Sequence, residues 1–260
     1  MKTKKLISVF IILFFVLLCI AGSAQVEFIA HRGASYLAPE NTIASAKLGW
    51  ELGAESVEVD IHLSKNNRVM VIHDSDTKKV SGKYLKVSET KSNVLRKLDV
   101  GSFKDEKYSD EIIPYLEEII EIIPAGKKLV IELKSRKEVI PWMKKAIDKC
   151  DKLDQLIFIC FDWETIIKTK QIFPDNTCYW LCNDPNELEK RWEDVAKSGL
   201  EGVDLKHSII DKKVMETANE LGLEVWTYTV NDPAEARRLI NIGVTGITTD
   251  RPGWLRKNIH

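Results

Sequence analysis

From Val26 onward, short apolar runs rich in β-branched residues alternate with longer stretches of helical periodicity. Val26–Ala30 predicts a strand. Asn41–Leu52 predicts a helix with Asn41 or Thr42 as N-cap, since a side-chain oxygen there can accept a free backbone N–H. Ser56–His62 and Arg68–His73 predict two strands, joined through Ser64-Lys65-Asn66-Asn67, which is hairpin turn chemistry. Lys128–Leu133 predicts the next strand, followed by a helix over Lys137–Cys150. The alternation then becomes regular. Strands are predicted at Gln155–Cys160, Thr177–Leu181, Gly202–Leu205, Leu223–Thr229 and Gly246–Thr248. Helices are predicted between them at Trp163–Gln171, Pro185–Lys197, Asp211–Leu221 and Pro233–Ile242. Pro185 and Pro233 fall where a first helical turn tolerates a missing N–H, and Gly199, Gly222 and Gly243 fall where a helix would stop.

With the Arg68 run set aside as a hairpin partner, eight strands remain. Strand–helix alternation implies a parallel sheet, because each crossover returns the chain to the same end. The pattern over residues 25–260 predicts an α/β fold, a TIM (β/α)8 barrel, with a doubly wound open sheet as the alternative. Residues 75–113 break the rhythm. They are polar, lysine-rich and weakly periodic, and read as an insertion ahead of a helix over Tyr115–Ile123.

The N-terminus changes the accounting. Lys2, Lys4 and Lys5 precede an uncharged run over Leu6–Ala21 that is apolar apart from Ser8, and Gly22-Ser23-Ala24 supplies the small residues of a cleavage site. Residues 1–24 are therefore expected to be a signal peptide rather than an anchor, since the run is shorter than the roughly 20 residues that span a bilayer. The mature chain is expected in a secreted, periplasmic or cell-envelope setting, with no stable membrane insertion. Loss of three lysines takes its formal charge from −1 to −4. Acids and bases are interspersed, with no basic stripe for nucleic acid. An oxidising compartment permits disulfides. Cys178 and Cys182, four apart on one predicted strand, stand roughly 13 Å apart, too far for a bridge. Cys160 and Cys182 fall at the same end of neighbouring predicted strands and are a candidate pair, and buried free thiols, Cys150 included, are the favoured reading.

Candidate chemistry gathers at predicted strand ends, where barrel enzymes carry their sites. His31 and Arg32 follow the first strand, and Glu58 and Asp60 lie on the second. His73 and Asp74 end the hairpin strand, and Glu132 and Lys134 close the next barrel strand. Residues two apart on a strand share a face. Three carboxylates and a lysine then point into one mouth. Carboxylates this close repel, and a divalent cation resolves the repulsion. An oxygen-only donor set favours Mg2+ or Ca2+ over zinc. A structural salt bridge accounts for any one of these acids alone; the joint set points to a metal. His31 and His73 form the candidate acid–base pair. Arg32 and Lys134 carry fixed charge suited to phosphate oxygens, or else neutralise the carboxylates. His62, His207 and His260 receive no role.

These residues, in order, are His31-Arg32-Gly33-Ala34, Pro39-Glu40-Asn41-Thr42, Glu58-Val59-Asp60, His73-Asp74 and Glu132-Leu133-Lys134. They resemble the signature of the glycerophosphodiester phosphodiesterase family. Leu98–Ser102 with Ile113–Glu118 resembles the end of its insertion, and Trp226–Asn231 and Gly246–Pro252 its closing strands. The resemblance spans the mature chain. It implies metal-dependent hydrolysis of a glycerophosphodiester to sn-glycerol 3-phosphate and an alcohol. Glu58, Asp60 and Glu132 would hold the cation, and His31 and His73 would act as general base and acid in an order left open. Arg32 and Lys134 would hold the phosphate, Glu40 and Asn41 would shape the mouth, and Trp226 would wall the alcohol portion. Helix capping is the structural alternative for Asn41, and a core position for Trp226. The chain departs from the family pattern at Gly253-Trp254 and in its short lysine-rich insertion, which leaves substrate preference open. The other readings are a lysophospholipase D or glycerophosphoinositol phosphodiesterase, and a non-catalytic envelope receptor for phosphoglycerol polymers.

Overall fold

The computed structural model describes residues 26–259, so the expected signal peptide at 1–24 lies outside the described residues. Eight parallel strands close into a TIM barrel. They are β1 (Glu27–Ala30), β2 (Ser56–Leu63), β4 (Lys128–Leu133), β5 (Leu156–Cys160), β6 (Cys178–Cys182), β7 (Gly202–Lys206), β8 (Glu224–Tyr228) and β9 (Gly246–Thr249). β1 pairs with β9 on one side and β2 on the other, which closes the ring. A short strand, β3 (Val69–Val71), adds to β2 as its antiparallel hairpin partner. The open-sheet alternative is thereby excluded.

Strand alternation sorts β2 and β4 into two faces. Val57, Val59 and Ile61, with Leu129, Ile131 and Leu133, turn outward into the main core beneath the helices. Glu58, Asp60 and Glu132 turn inward. The ladder sets Asp60 opposite Glu132 and Glu58 opposite Val130, so the register itself brings acids of two strands together. Deeper in the barrel, Ile29, Val130, Ile157, Ile159, Tyr179, Leu181 and Trp226 fill the interior.

The outer helices are α1 (Ile43–Glu51), α4 (Leu116–Glu121), α5 (Ile140–Ile147), α6 (Trp163–Ile172), α7 (Pro185–Lys197), α8 (Lys212–Glu220) and α9 (Pro233–Asn241). Aspartates at 162, 184, 211 and 232 cap four of them through backbone N–H groups of the first turn. A last helix, α10 (Pro252–Asn258), has no counterpart in the predicted pattern; it buries Leu255 and packs against β1.

The insertion is less featureless than its composition suggests. It forms two single-turn helices, α2 (Lys78–Ser81) and α3 (Ser92–Leu95). Val80, Val87, Leu95, Leu98 and Val100 pack with Met70 and Ile72 of the hairpin into a small separate core. These few apolar positions are too irregularly spaced to register as a period. Cys150, Cys160, Cys178 and Cys182 are free thiols, and Cys178 and Cys182 bound one strand as expected. Among the described residues no helix is long and apolar enough to cross a membrane.

Candidate active site

The C-terminal ends of β1, β2 and β4, with the segment after β3, converge on one mouth. Gly33 makes the first turn possible. Its φ is +80°, and a Cβ there would stand 2.4 Å from the Ser45 carbonyl carbon. This tight turn lets the Arg32 backbone N–H donate to Glu58 Oε2 at 2.8 Å. Thr42, not Asn41, caps α1. Asn41 sits at φ +59°. Its side chain donates to Asp60 Oδ2 at 2.9 Å and accepts the Asp60 backbone N–H at 3.0 Å. The buried Asn41 therefore fixes a site carboxylate rather than a helix end.

Glu58, Asp60 and Glu132 each offer a carboxylate oxygen, and these three atoms lie within 4.8 Å of one another. Burial, then the charges of Asp60 and Glu132, push the Glu58 pKa well above its ordinary range. Burial, with the Asp60 charge beside it, lifts Glu132 to about 7. Burial would also raise Asp60, but the Lys134 and Arg32 cations outweigh it and hold Asp60 at about 2. Lys134 Nζ donates to Glu132 Oε1 at 2.7 Å and stands 3.4 Å from Asp60 Oδ1. Arg32 stands 3.4 Å from Asp60 Oδ2 through Nε and donates to Glu40 Oε1 at 3.2 Å. Glu40 is held from above by Lys79 of α2 at 2.6 Å, so the insertion reaches the mouth.

Among the described residues, two buried carboxylate oxygens here, Glu58 Oε1 and Asp60 Oδ1, have no hydrogen-bond partner, and neither has Arg32 Nε. An unsatisfied buried acceptor costs roughly 1–3 kcal/mol, more when charged. A hard divalent cation among oxygen-only donors removes that cost, so the residues present fit such an ion.

Each candidate histidine has its own aspartate. His73 Nδ1 meets Asp74 Oδ1 at 2.7 Å, and His31 Nδ1 meets Asp250 Oδ1 at 2.7 Å. Burial lowers the His73 pKa despite the nearby Asp60 charge. Burial alone would raise Asp250, but hydrogen bonds from His31, Asn231 and Ser35 hold it far below the usual carboxylate range.

Asp250 falls within the Gly246–Pro252 segment, where the sequence alone assigns it no role. Its signal was its place directly after β9, the same strand-end position that singled out the others. His62, too, carries no role from sequence. Its Nε2 lies 2.9 Å from the His73 carbonyl oxygen and its Nδ1 3.3 Å from Ser135 Oγ, tying the hairpin end to the segment after β4. Asp204 on β7 was missed altogether. It is fully buried with Oδ1 unpartnered, and burial, then Glu132, raises its pKa strongly.

Trp226 does not join this group. It is only 3% exposed, lies 4.3 Å from Tyr179 ring to ring, and presses on Gly246, where any Cβ would stand 2.6 Å from its indole. The expectation of a wall against the alcohol is corrected to a barrel-interior position. Phe161, 40% exposed after β5, meets Tyr228 edge-on at 5.8 Å.

Residues 31–254 match the model of the glycerophosphoryl diester phosphodiesterase family. A glycerophosphodiester phosphodiesterase of Caldanaerobacter subterraneus is 31% identical over 87% of this chain and 95% of that protein. A human lysophospholipase D is 25% identical over 90% of this chain and 84% of its own. An Oleispira antarctica phosphodiesterase, solved in complex with the product sn-glycerol-3-phosphate, superimposes with a TM-score of 0.84 at 28% identity. That match covers 90% of this chain and 97% of the other.

Proposed function

This chain belongs to the glycerophosphoryl diester phosphodiesterase family, and on that premise we propose that it hydrolyses a glycerophosphodiester to sn-glycerol 3-phosphate and a free alcohol. The observation that carries the reading is the carboxylate cluster flanked by two histidines, each tied to its own aspartate. Glu58, Asp60 and Glu132 would hold a divalent cation, Mg2+ or Ca2+, which would supply Lewis-acid charge to the phosphoryl group.

Arg32 and Lys134 bind phosphate oxygens through the charged N–H donors of their guanidinium and ammonium groups. Glu40 and Asn41 set the shape of this end of the mouth by holding Arg32 and Asp60. An aspartate carboxylate only accepts, so Nδ1 of His31 and of His73 carries a hydrogen and leaves Nε2 of each for proton transfer. One imidazole, neutral with a lone pair at Nε2, takes the proton of the attacking oxygen, and the other, as the imidazolium, gives its Nε2 proton to the departing alkoxide. The attacking oxygen belongs to water or to the glycerol 2-hydroxyl.

Incubating the mature protein with glycerophosphocholine and Mg2+, Ca2+ or Mn2+ should release sn-glycerol 3-phosphate; no release with any of them overturns the reading. The leader at 1–24 supports placing this reaction in a secreted or envelope setting. A second reading, lysophospholipase D, draws on the exposed Phe161 at the mouth and on the human relative. Faster turnover of lysophospholipid vesicles than of soluble diesters would favour it.

A further inference from the structure

Beside the His31–Asp250 pair lies a groove of about 560 Å³, lined by Tyr36, Glu51, Asp250, Arg251, Trp254 and Lys257, among others. The guanidinium of Arg251 lies 3.6 Å from the Tyr36 ring centre and 5.3 Å from that of Trp254. Arg32, Arg68, Arg96 and Arg256 all pair with glutamates. Arg251 does not: among the described residues its hydrogen bonds are those of its backbone, the N–H donating to Thr249 Oγ1 and the carbonyl accepting from the Leu255 N–H, and none involves its guanidinium. A ring against the guanidinium face fixes its plane and costs it none of its N–H donors, because these point along the edge. A guanidinium held in this way, with its fork free, presents a ready geometry for two oxygens of one anion. Lys257 adds a second cation to the same groove, and Lys104 approaches Tyr36 at 5.9 Å.

The groove is mechanically joined to the mouth. The Tyr36 backbone N–H donates to the Asp250 carbonyl at 3.2 Å, and Ser35 Oγ donates to the Asp250 carboxylate at 3.0 Å. The residue that orients His31 therefore also anchors one wall, and Arg251 follows it directly in the chain.

We propose that Arg251, assisted by Lys257, forms an anion subsite for a second phosphate group carried on the alcohol portion of the substrate. The preferred diester then continues past the scissile phosphate to another phosphate, and a neutral or cationic alcohol leaves the subsite empty. This rests on the diesterase reading above.

Steady-state kinetics of the cation-loaded enzyme on two soluble diesters test it: glycerophosphocholine, and glycerophosphoglycerol bearing a terminal phosphate. The wild type is expected to favour the second in kcat/KM by about tenfold, the size of one charged hydrogen-bonded contact. Arg251→Gln is expected to erase most of that preference through KM, and Arg251→Lys to restore part of it. An unchanged ratio, or equal losses on both substrates, overturns the subsite. A wild type that releases glycerol phosphate from neither substrate fails the diesterase reading instead. Arg251-dependent binding to phosphatidylglycerol vesicles with an unaltered ratio would move the anion to a lipid surface and overturn the substrate assignment.

Discussion

His31 Nδ1 and Asp250 Oδ1 stand 2.7 Å apart although 219 residues separate them in the chain. The contact exists because β9 closes the barrel against β1, in register Ala30 to Thr249, and so delivers the residues following both strands to one place. Asn231, from the loop after β8, and Ser35, from the same β1–α1 loop as His31, also hold the aspartate. Asp250→Asn keeps the shape but removes the obligate acceptor, which frees His31 to adopt the wrong tautomer. Turnover is expected to fall by about 10²–10⁴ with the fold intact. Steady-state kinetics beside a circular-dichroism melt would check this, and undiminished kcat would remove Asp250 from the mechanism.

Chelation is expected to abolish turnover and lower the melting temperature, since an ion bound only by the native state stabilises it. Asp60→Asn and Glu58→Gln should weaken the affinity for Mg2+ or Ca2+ measured by titration calorimetry. Full activity in the presence of a chelator would exclude the metal.

The cation-free protein should show an unusual stability profile. Glu132 is lifted from an ordinary value of 4.5 to about 7. A carboxyl held above its unfolded value binds its proton more tightly when folded. Its stabilising effect is therefore complete below about 4.5 and fades as pH rises through 7. Asp60, held at about 2 instead of 3.8, acts oppositely, and its contribution is lost only as pH falls through 2. Chelated wild type should lose stability relative to Glu132→Gln between about pH 4.5 and 7. Parallel urea titrations across that window would expose the difference, and superimposable curves would refute it.

Gly33→Ala places a methyl group 2.4 Å from the Ser45 carbonyl carbon at a left-handed φ. A loss of about 3 kcal/mol or more is expected, with activity falling because Arg32 no longer reaches Glu58 through its N–H. Thermal melts and cation affinity measured together would reveal both effects, and a neutral substitution would contradict the packing.

Trp226→Phe is expected to cost about 1–3 kcal/mol by leaving unfilled volume in the barrel interior. KM for any diester should stay unchanged, because the indole is sealed from the mouth. A selective rise in KM would return Trp226 to the substrate wall.

The barrel itself was written in the sequence. Alternating strand and helix patterns, Asp–Pro helix starts at 184–185 and 232–233, and glycine stops are all local signals, and local signals survive in one dimension. The two-residue spacings Glu58–Asp60 and Glu132–Lys134 were legible for the same reason, since strand period alone assigns a shared face. Tertiary structure decided the rest. It gave Asn41 to Asp60 and the cap to Thr42, a choice between adjacent polar residues that propensity cannot make. It drew Asp250 to His31, buried Asp204 without a partner, and sank Trp226 below the mouth. Each of these depends on ring closure and on depth along the barrel axis. Both are set by the stagger between strands far apart in the chain, and neither leaves a periodic trace along it.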